Sequence, residues 1–280
     1  MTEEWVDLHV HTHYSDGLLS PEEVVAAARK NGLRAIAIAD HDTVGGYEEA
    51  VAAGEKLGVE IVKCIEFSSQ YAGRDIHILG YFIDETFPRL AEYLNLFRDE
   101  RLRRAEKIVA NLNEMGVHIT IDEVRSKAKG DIIGRPHIAE ILMEKGYVET
   151  FQESFYRYIG YGCRAYEEKY RIAPDKAIAL ITASGGLSFL AHPGPIISNE
   201  IILHLIKAGL DGIEIVHPKL NDRRMARLQK IAHNHGLLVS GGSDCHGGRN
   251  GSLTMGRYKV PYVILDQLKS TAHARKAINS

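Results

Sequence analysis

Ala35-Ile36-Ala37-Ile38-Ala39-Asp40-His41-Asp42 is an unbroken apolar run that ends abruptly in carboxylate, imidazole and carboxylate. Such a run suits a strand buried on both faces, and an apolar strand feeding a helix is the unit of a parallel α/β sheet. The same grammar recurs on either side. Strands are expected at Val6–Val10, Ala35–Ala39, Glu60–Ile65, Ile76–Phe82, Leu187–Ala191, Gly212–Val216 and Leu237–Ser240. Helices fall between most of them. Ser20-Pro21-Glu22-Glu23 is a capping box with Pro at the first helical position, and Asn31-Gly32 closes that helix. Further helices are expected at Gly46–Leu57, Pro174–Ala183, Asn199–Ala208 and Asp222–His235. Seven strands with polar residues gathered after their C-terminal ends favour a closed or nearly closed barrel over an open sheet.

The alternation lapses between residues 87 and 170, which read as helical almost throughout. Pro88–Met115 is one long helix, and Thr120-Ile121-Asp122-Glu123 starts another. The expected organisation is a barrel from residues 1–86 and 171–280, with 87–170 as a helical insertion. It would cover the active site as a substrate-selecting lid.

Composition sets the outer bounds. The chain has 280 residues, 45% hydrophobic and 25% charged, enough to bury a core without disulfides. With 37 acidic and 34 basic residues the net charge is −3, which argues against a polybasic surface for membranes or stable duplex nucleic acid. Three separated cysteines, Cys64, Cys163 and Cys245, and an N-terminus without a basic, apolar leader point to a cytoplasmic protein. No apolar run is long enough for a membrane span. The 14 histidines stand out.

Those histidines gather with carboxylates at strand ends. In Asp7-Leu8-His9-Val10-His11-Thr12-His13-Tyr14-Ser15-Asp16-Gly17, residues 7, 9 and 11 share one side of a strand, so His9 and His11 can reach one divalent ion. His41 follows the second strand, Glu66 the third, and His77 lies within Asp75-Ile76-His77-Ile78. Ala191-His192-Pro193-Gly194, Val216-His217-Pro218 and Ser243-Asp244-Cys245-His246-Gly247 each follow an apolar run. His9, His11, Asp16, His41, Glu66, His77, His192, Asp244 and His246 form a candidate ligand set too large for one zinc and suited to two or three ions. Their type accepts Mn²⁺, Zn²⁺ or Fe²⁺ alike. Three divalent ions against three carboxylates leave a surplus of positive charge, which suits phosphate. Asp7, His13, Asp40 and Asp42 are expected to orient the ligand imidazoles.

His9-Val10-His11-Thr12-His13-Tyr14-Ser15-Asp16-Gly17, Ile38-Ala39-Asp40-His41-Asp42-Thr43, the later His-Pro-Gly and Ser243-Asp244-Cys245-His246-Gly247 together resemble the four-motif pattern of the polymerase and histidinol phosphatase (PHP) family of metal-dependent phosphoesterases. The resemblance implies a distorted (β/α)7, TIM-like barrel with a trinuclear metal site. It implies one ion on His9, His11, Glu66 and Asp244, a second on Glu66, His77 and His192, and a third on Asp16, His41 and His246.

Gly134-Arg135-Pro136-His137 further resembles the nucleotide phosphoesterases within that family, a group of 3′,5′-nucleoside bisphosphate phosphatases, AMP phosphatases and 5′-3′ exoribonucleases. Arg135 offers a planar fork matched to phosphate, and His137 a second donor. The alternative is a plain helix N-terminus with Pro136 in the first turn. Arg101 and Arg104 interrupt the apolar stripe Leu90, Leu94, Phe97, Ile108, Leu112. Either they point into the site as phosphate ligands, or the stripe drifts onto Leu102, Ala105 and Val109 and leaves both arginines solvated. His192, His217 and Arg135 are the candidate catalytic residues, His217 as a pocket wall or an aid to the leaving group. Lys219 and Arg223 are further candidates.

The expected function is hydrolysis of a phosphate monoester on a small nucleotide, such as a 3′,5′-bisphosphate or AMP, by metal-activated hydroxide. The alternatives are a 5′-3′ exoribonuclease on short 5′-phosphorylated RNA, a histidinol-phosphate phosphatase and a non-catalytic metal-dependent nucleotide sensor. An amidohydrolase also uses His-x-His at a barrel strand, but commonly needs a bridging lysine or its carbamate where Glu66 stands here.

Overall fold

The computed structural model describes residues 4–128, 130, 132–248 and 253–279. Eight strands form one sheet: β1 (Trp5–Val10), β2 (Leu33–Ile38), β3 (Glu60–Tyr71), β4 (Arg74–Tyr81), β5 (Leu187–Leu190), β6 (Gly212–Val216), β7 (Leu238–Gly241) and β8 (Val260–Pro261). Their spatial order is β7-β6-β5-β4-β3-β2-β1-β8. The sheet nearly closes on itself. Beyond β7, Asp244 N donates to His9 O (2.9 Å) and His11 N donates to Cys245 O (3.0 Å), joining the sheet's two sides. The seven expected strands are present, and β8 is a two-residue addition antiparallel to β1.

The expectation of parallel pairing throughout is corrected at β4. β1, β2 and β3 are parallel, as are β5, β6 and β7, but β4 runs antiparallel to both β3 and β5. Only two residues, Ala72 (φ 49°) and Gly73 (φ 73°), join β3 to β4. A two-residue loop with positive φ at both positions makes a hairpin and cannot make a crossover. β3 also continues to Tyr71 rather than stopping at Ile65, so Glu66 lies inside a strand and not at its end, and His77 lies inside β4.

Outer helices α1 (Pro21–Lys30) and α2 (Tyr47–Leu57) pack on β2 by period-two alternation. Ile36 and Ile38 join Val24, Val25 and Ala50 in one buried cluster, while Ala35, Ala37 and Ala39 join Val62, Tyr81 and Phe189 in another. The capping boxes at Ser20/Glu23 and Thr120/Glu123 both form.

The reversed β4 ends at the face opposite the histidines. α3 (Pro88–Glu114) therefore has to climb back. Its 27 residues span about 40 Å, and Arg101 sits about 20 Å above its start. Leu90 and Phe97 pack into the barrel's cluster with Ile65, Phe67 and Ile178. Past Arg101 the helix enters a separate apolar cluster in which Ala105, Ile108 and Leu112 meet Val124, Ile138, Leu142 and Ile159. That cluster is built with α4 (Ile121–Lys127), α5 (Arg135–Glu144), α6 (Phe151–Ser154) and the π-turn Phe155–Ile159. α7 (Pro174–Ala183), α8 (Asn199–Lys207), α9 (Asp222–His235) and α10 (Tyr262–Asn279) complete the chain. Among the described residues, no helix is long and apolar enough to cross a membrane.

Candidate metal centre and anion cavity

The chain crosses from strand to loop at each histidine motif, and the crossing points converge on Glu66. Beyond β2, Glu66 N donates to Asp40 O (3.1 Å) and Asp42 N to Glu66 O (3.1 Å), which brings His41 alongside Glu66. Glu66 is fully buried and uses both oxygens. Oε1 lies 2.8 Å from His77 Nδ1 and 2.8 Å from His192 Nε2. Oε2 lies 3.3 Å from His9 Nε2, His11 Nε2 and His41 Nδ1. Asp244 Oδ1 stands 3.1 Å from His11 Nε2, and His246 Nε2 stands 3.2 Å from Asp16 Oδ1.

Among the described residues, donor atoms converge in four groupings: His9, His11, Glu66 and Asp244; His41, Glu66 and His77; His11, Asp16, His41 and His246; and His9, Glu214 and His217. His192 reaches the second through Glu66. His11 and His41 each turn one ring nitrogen to each of two groups, a sharing that the expected partition lacked.

The donor chemistry fits divalent ions. His9 Nε2 and His11 Nε2 face each other at 3.1 Å, and His9 Nδ1 faces Glu214 Oε1 at 3.1 Å. A neutral His9 donating to Glu214 presents a lone pair to His11, so acceptors converge where hydrogen bonds alone cannot satisfy them. Bonds of 2.0–2.1 Å in a tetrahedral shell put ligand atoms about 3.3 Å apart, close to the spacings here. His11 Nδ1 and His41 Nδ1 are buried without a hydrogen-bond partner. Burial opposes ionisation of Asp16, Glu66 and Asp244, yet the surrounding imidazoles hold all three well below the usual carboxylate range. Burial drives His41 down to about 3. Asp42, His192 and Asp244 all have positive φ, a concentration of backbone strain at one site.

Glu214 was missed. It is fully buried, accepts from His9 Nδ1, and accepts the backbone N–H of His192 at 2.7 Å. The signal was present, a carboxylate in the apolar strand Gly212-Ile213-Glu214-Ile215-Val216. The residues expected to orient imidazoles do other work. Asp40 accepts from Thr12 N (2.7 Å), Thr12 Oγ1 (2.6 Å) and Ser15 Oγ (2.6 Å), pinning the loop after β1. Asp42 accepts from Ser68 N (2.8 Å) and Ser68 Oγ (2.8 Å), and Asp7 from Ser243 N (2.8 Å). His13 stacks obliquely on Tyr14. His217 Nδ1 accepts from Lys219 N (3.0 Å), and its Nε2 is 3.2 Å from Asp244 Oδ2, so its free proton faces Asp244 rather than a leaving group. Lys219 Nζ also reaches Asp244, at 3.0 Å. Cys245 is buried among Val10, Val24 and Met255, away from the cluster.

Beside His41 and Asp16 opens a cavity of about 170 Å³ whose far wall comes from the helical segment: Arg101, Arg104, Arg135 and Phe155, with Lys169 and Ser15. The stripe does extend onto Ala105 and Val109, yet Arg101 is buried and not solvated; it ion-pairs with Asp42. That pair overcomes burial and holds Asp42 at about 2. Arg104 Nε donates to Glu167 O (2.9 Å), and Arg135 Nη1 to Ile159 O (3.1 Å) with its guanidinium over Phe155 and Tyr166. Lys169 bonds Ser68 Oγ. Burial and mutual repulsion lower Arg104 to about 9 and Lys169 to about 7, with Arg101 acting on both. Burial also lowers Arg135. Among the lining residues only Asp16 is acidic. Arg135 opens α5 with Pro136 in its first turn, and its side chain lines the cavity. His137 Nδ1 accepts from Gly134 N (3.2 Å), capping α5, and His137 is not among the residues lining the cavity.

A family model described as the PHP domain matches residues 7–183. The chain belongs to the PHP domain family. A 5′-3′ exoribonuclease of Haemophilus influenzae is 33% identical, covering 88% of this PHP chain and 91% of its own. A 3′,5′-nucleoside bisphosphate phosphatase of Chromobacterium violaceum is 32% identical, covering 90% of each. A solved structure from Bifidobacterium adolescentis, assigned as a metal-dependent phosphoesterase, superposes with a TM-score of 0.87 at 31% identity over 96% of each chain.

Proposed function

We propose that this chain, a metal-dependent phosphoesterase of the PHP family, removes the 3′-phosphate of a 3′,5′-nucleoside bisphosphate. The observation that carries the reading is the pairing of two sites: a cluster built for cations, and within reach a buried cavity with four cationic side chains and one lining carboxylate. A substrate with two phosphates matches both. The violaceum and influenzae relatives, by their names, act on such a bisphosphate and on RNA from its 5′ end.

Two or three divalent ions, Mn²⁺, Zn²⁺ or Fe²⁺, would be held by His9, His11, Asp16, His41, Glu66, His77, His192, Asp244 and His246. Such ions polarise phosphoryl oxygens and make water acidic enough to supply a nucleophile near neutral pH. The protein's own part is placement. Glu214 fixes the His9 ring through Nδ1, leaving Nε2 for the cluster. Arg104 and Arg135 hold the remote phosphate by charge-assisted bonds, and Lys169 adds a positive charge. Arg101, neutralised by Asp42, keeps the cavity wall in place and leaves a guanidinium edge toward the ligand. Binding energy from this remote phosphate positions the ester over the cluster. The helical segment selects substrates, because it supplies Arg101, Arg104 and Arg135.

The test is phosphate release by Mn²⁺-loaded protein from adenosine 3′,5′-bisphosphate, AMP, histidinol phosphate and a short 5′-phosphorylated RNA. Selective release from the bisphosphate, with AMP left as product, is expected. Mononucleotide release from RNA would replace the reading with an exoribonuclease. No turnover with bound metal and tight nucleotide binding would leave a sensor.

A further inference from the structure

A second cleft touches the same cluster from another side. About 250 Å³ in volume, it is walled by His77 and His192 and floored by Ile76, Leu190, Pro195 and Ile196. The first cavity meets the cluster at His41, whose ring packs edge-on against that of His77 with centroids 5.0 Å apart, so the two spaces flank the same pair of rings. The two spaces differ in chemistry: the first is walled by cations, the second mainly by aliphatic side chains.

The loop Gly194-Pro195-Ile196-Ile197 is a rigid shelf. Ile197 N donates to Gly194 O (3.1 Å) to close the turn, and Arg74 Nη1 donates to Ile196 O (2.6 Å) from the β3–β4 hairpin. Its two isoleucines divide. Both line the cleft, but Ile197 is 4% exposed and packs in the barrel's apolar cluster, whereas Ile196 is 56% exposed. A large aliphatic side chain held in water on a pinned loop, next to a catalytic cluster, is surface ready for an apolar face.

We propose that this cleft is the subsite for the nucleobase of the substrate, with Pro195 and Ile196 as the surface on which the flat ring lies. The proposal rests on the bisphosphate reading and assigns the part of the molecule that the arginines do not recognise. The ester phosphate sits at Glu66's cluster, the second phosphate among Arg104 and Arg135, and the base against Ile196. Lys219 also lines the cleft, but its Nζ is held by Asp244 at 3.0 Å, so recognition of the base is left to the apolar surface. Selectivity for nucleotides over sugar phosphates without a base then resides in the loop after His192, while the arginines of the helical segment select for the second phosphate.

Two readouts test this. The first compares kcat/KM for 2′-deoxyadenosine 3′,5′-bisphosphate with that for 1,2-dideoxyribose 3,5-bisphosphate, which differs only in lacking the base. The preference for the base-bearing compound should fall about tenfold in Ile196→Asp and persist in Ile196→Leu. The second follows the Ile196 methyl resonance in Zn²⁺-loaded protein, assigned by its loss in Ile196→Leu. It should shift with the base-bearing compound and not with the base-free one. An unchanged preference in Ile196→Asp, or a methyl that ignores the base, overturns the subsite. If the wild type hydrolysed neither compound, the bisphosphate reading would fall, and the methyl shift on binding would still decide the cleft.

Discussion

Replacing Glu214 by Gln tests whether one buried carboxylate organises the metal centre. The side chain keeps its volume, so no cavity forms. Glu214 is fully buried and accepts two N–H donors, His9 Nδ1–H at 3.1 Å and His192 N–H at 2.7 Å. Glutamine can accept one of these through its carbonyl oxygen, but its NH₂ then confronts the other donor. Glu214 is closed off from bulk solvent, so a donor left unpaired there costs about 1–3 kcal/mol. If His9 is the group left unpaired, its ring can turn or change tautomer, and the lone pair on Nε2 is lost to the cluster. Loss of such a supporting carboxylate weakens metal binding by roughly 10–100-fold. If His192 is the one affected, its strained backbone loses its anchor, and the same cluster suffers at Glu66 Oε1. The assay is competition against a chromophoric chelator, with bound metal counted per chain. Metal affinity and turnover should fall together, while the metal-free melting temperature drops by only a few degrees. Wild-type metal affinity in Glu214→Gln would refute the argument and show that packing alone orients His9.

Other consequences are open to direct measurement. Removing metal should lower the melting temperature by about 10 °C relative to protein at a thousandfold excess over the dissociation constant, as scanning calorimetry with and without chelator will show; an unchanged midpoint would mean the cluster binds no ion. Lys169, depressed to about 7, carries its charge below that pH and loses it above. Phosphate affinity should therefore weaken as pH rises from 6 to 8, and the step should vanish in Lys169→Met. The stability linkage runs the other way: the unfolded chain binds the extra proton between about 7 and 10.5, so Lys169's contribution to stability grows with pH through that window. Arg101→Met strands the buried Asp42 carboxylate and should cost about 3 kcal/mol in urea unfolding, with metal content unaffected.

The candidate metal ligands were legible because a charged or metal-binding side chain next to a fully apolar run is costly anywhere but at a site. His9, His41, His192 and Asp244 announce themselves in this way. Glu66 was found for a reason that proved incomplete, since β3 does not end there. The reversal of β4 was also written in the sequence: Tyr71-Ala72-Gly73-Arg74 leaves too few residues for a crossover helix. Runs of β-branched residues read alike in either direction, so the turn carried the information and the strands did not. Glu214 was hidden by its neighbours, because a carboxylate among Ile213 and Ile215 looks like a surface position until its partner is known. Asp40 and Asp42 were read as partners of the adjacent histidine, but at successive positions their side chains diverge and meet backbone and Arg101 instead. In Gly134-Arg135-Pro136-His137, His137 Nδ1 caps the helix that Arg135 begins, a local role that residue type alone does not reveal.

α3 works as a ruler. Its distance markings are 1.5 Å and 100° per residue, and its zero is the point where Pro88 starts up the barrel wall. Arg101 meets Asp42 because Phe97 and Leu90 seat the lower half of the rod at a fixed phase. One residue inserted below Arg101 would swing its guanidinium by roughly 100° away from the carboxylate. One added after Leu112 would leave that mark in place and only displace what the rod carries. The lower half of α3 is therefore rigid in length, and the upper end is where a lineage can vary the cap without recalibrating the centre below it.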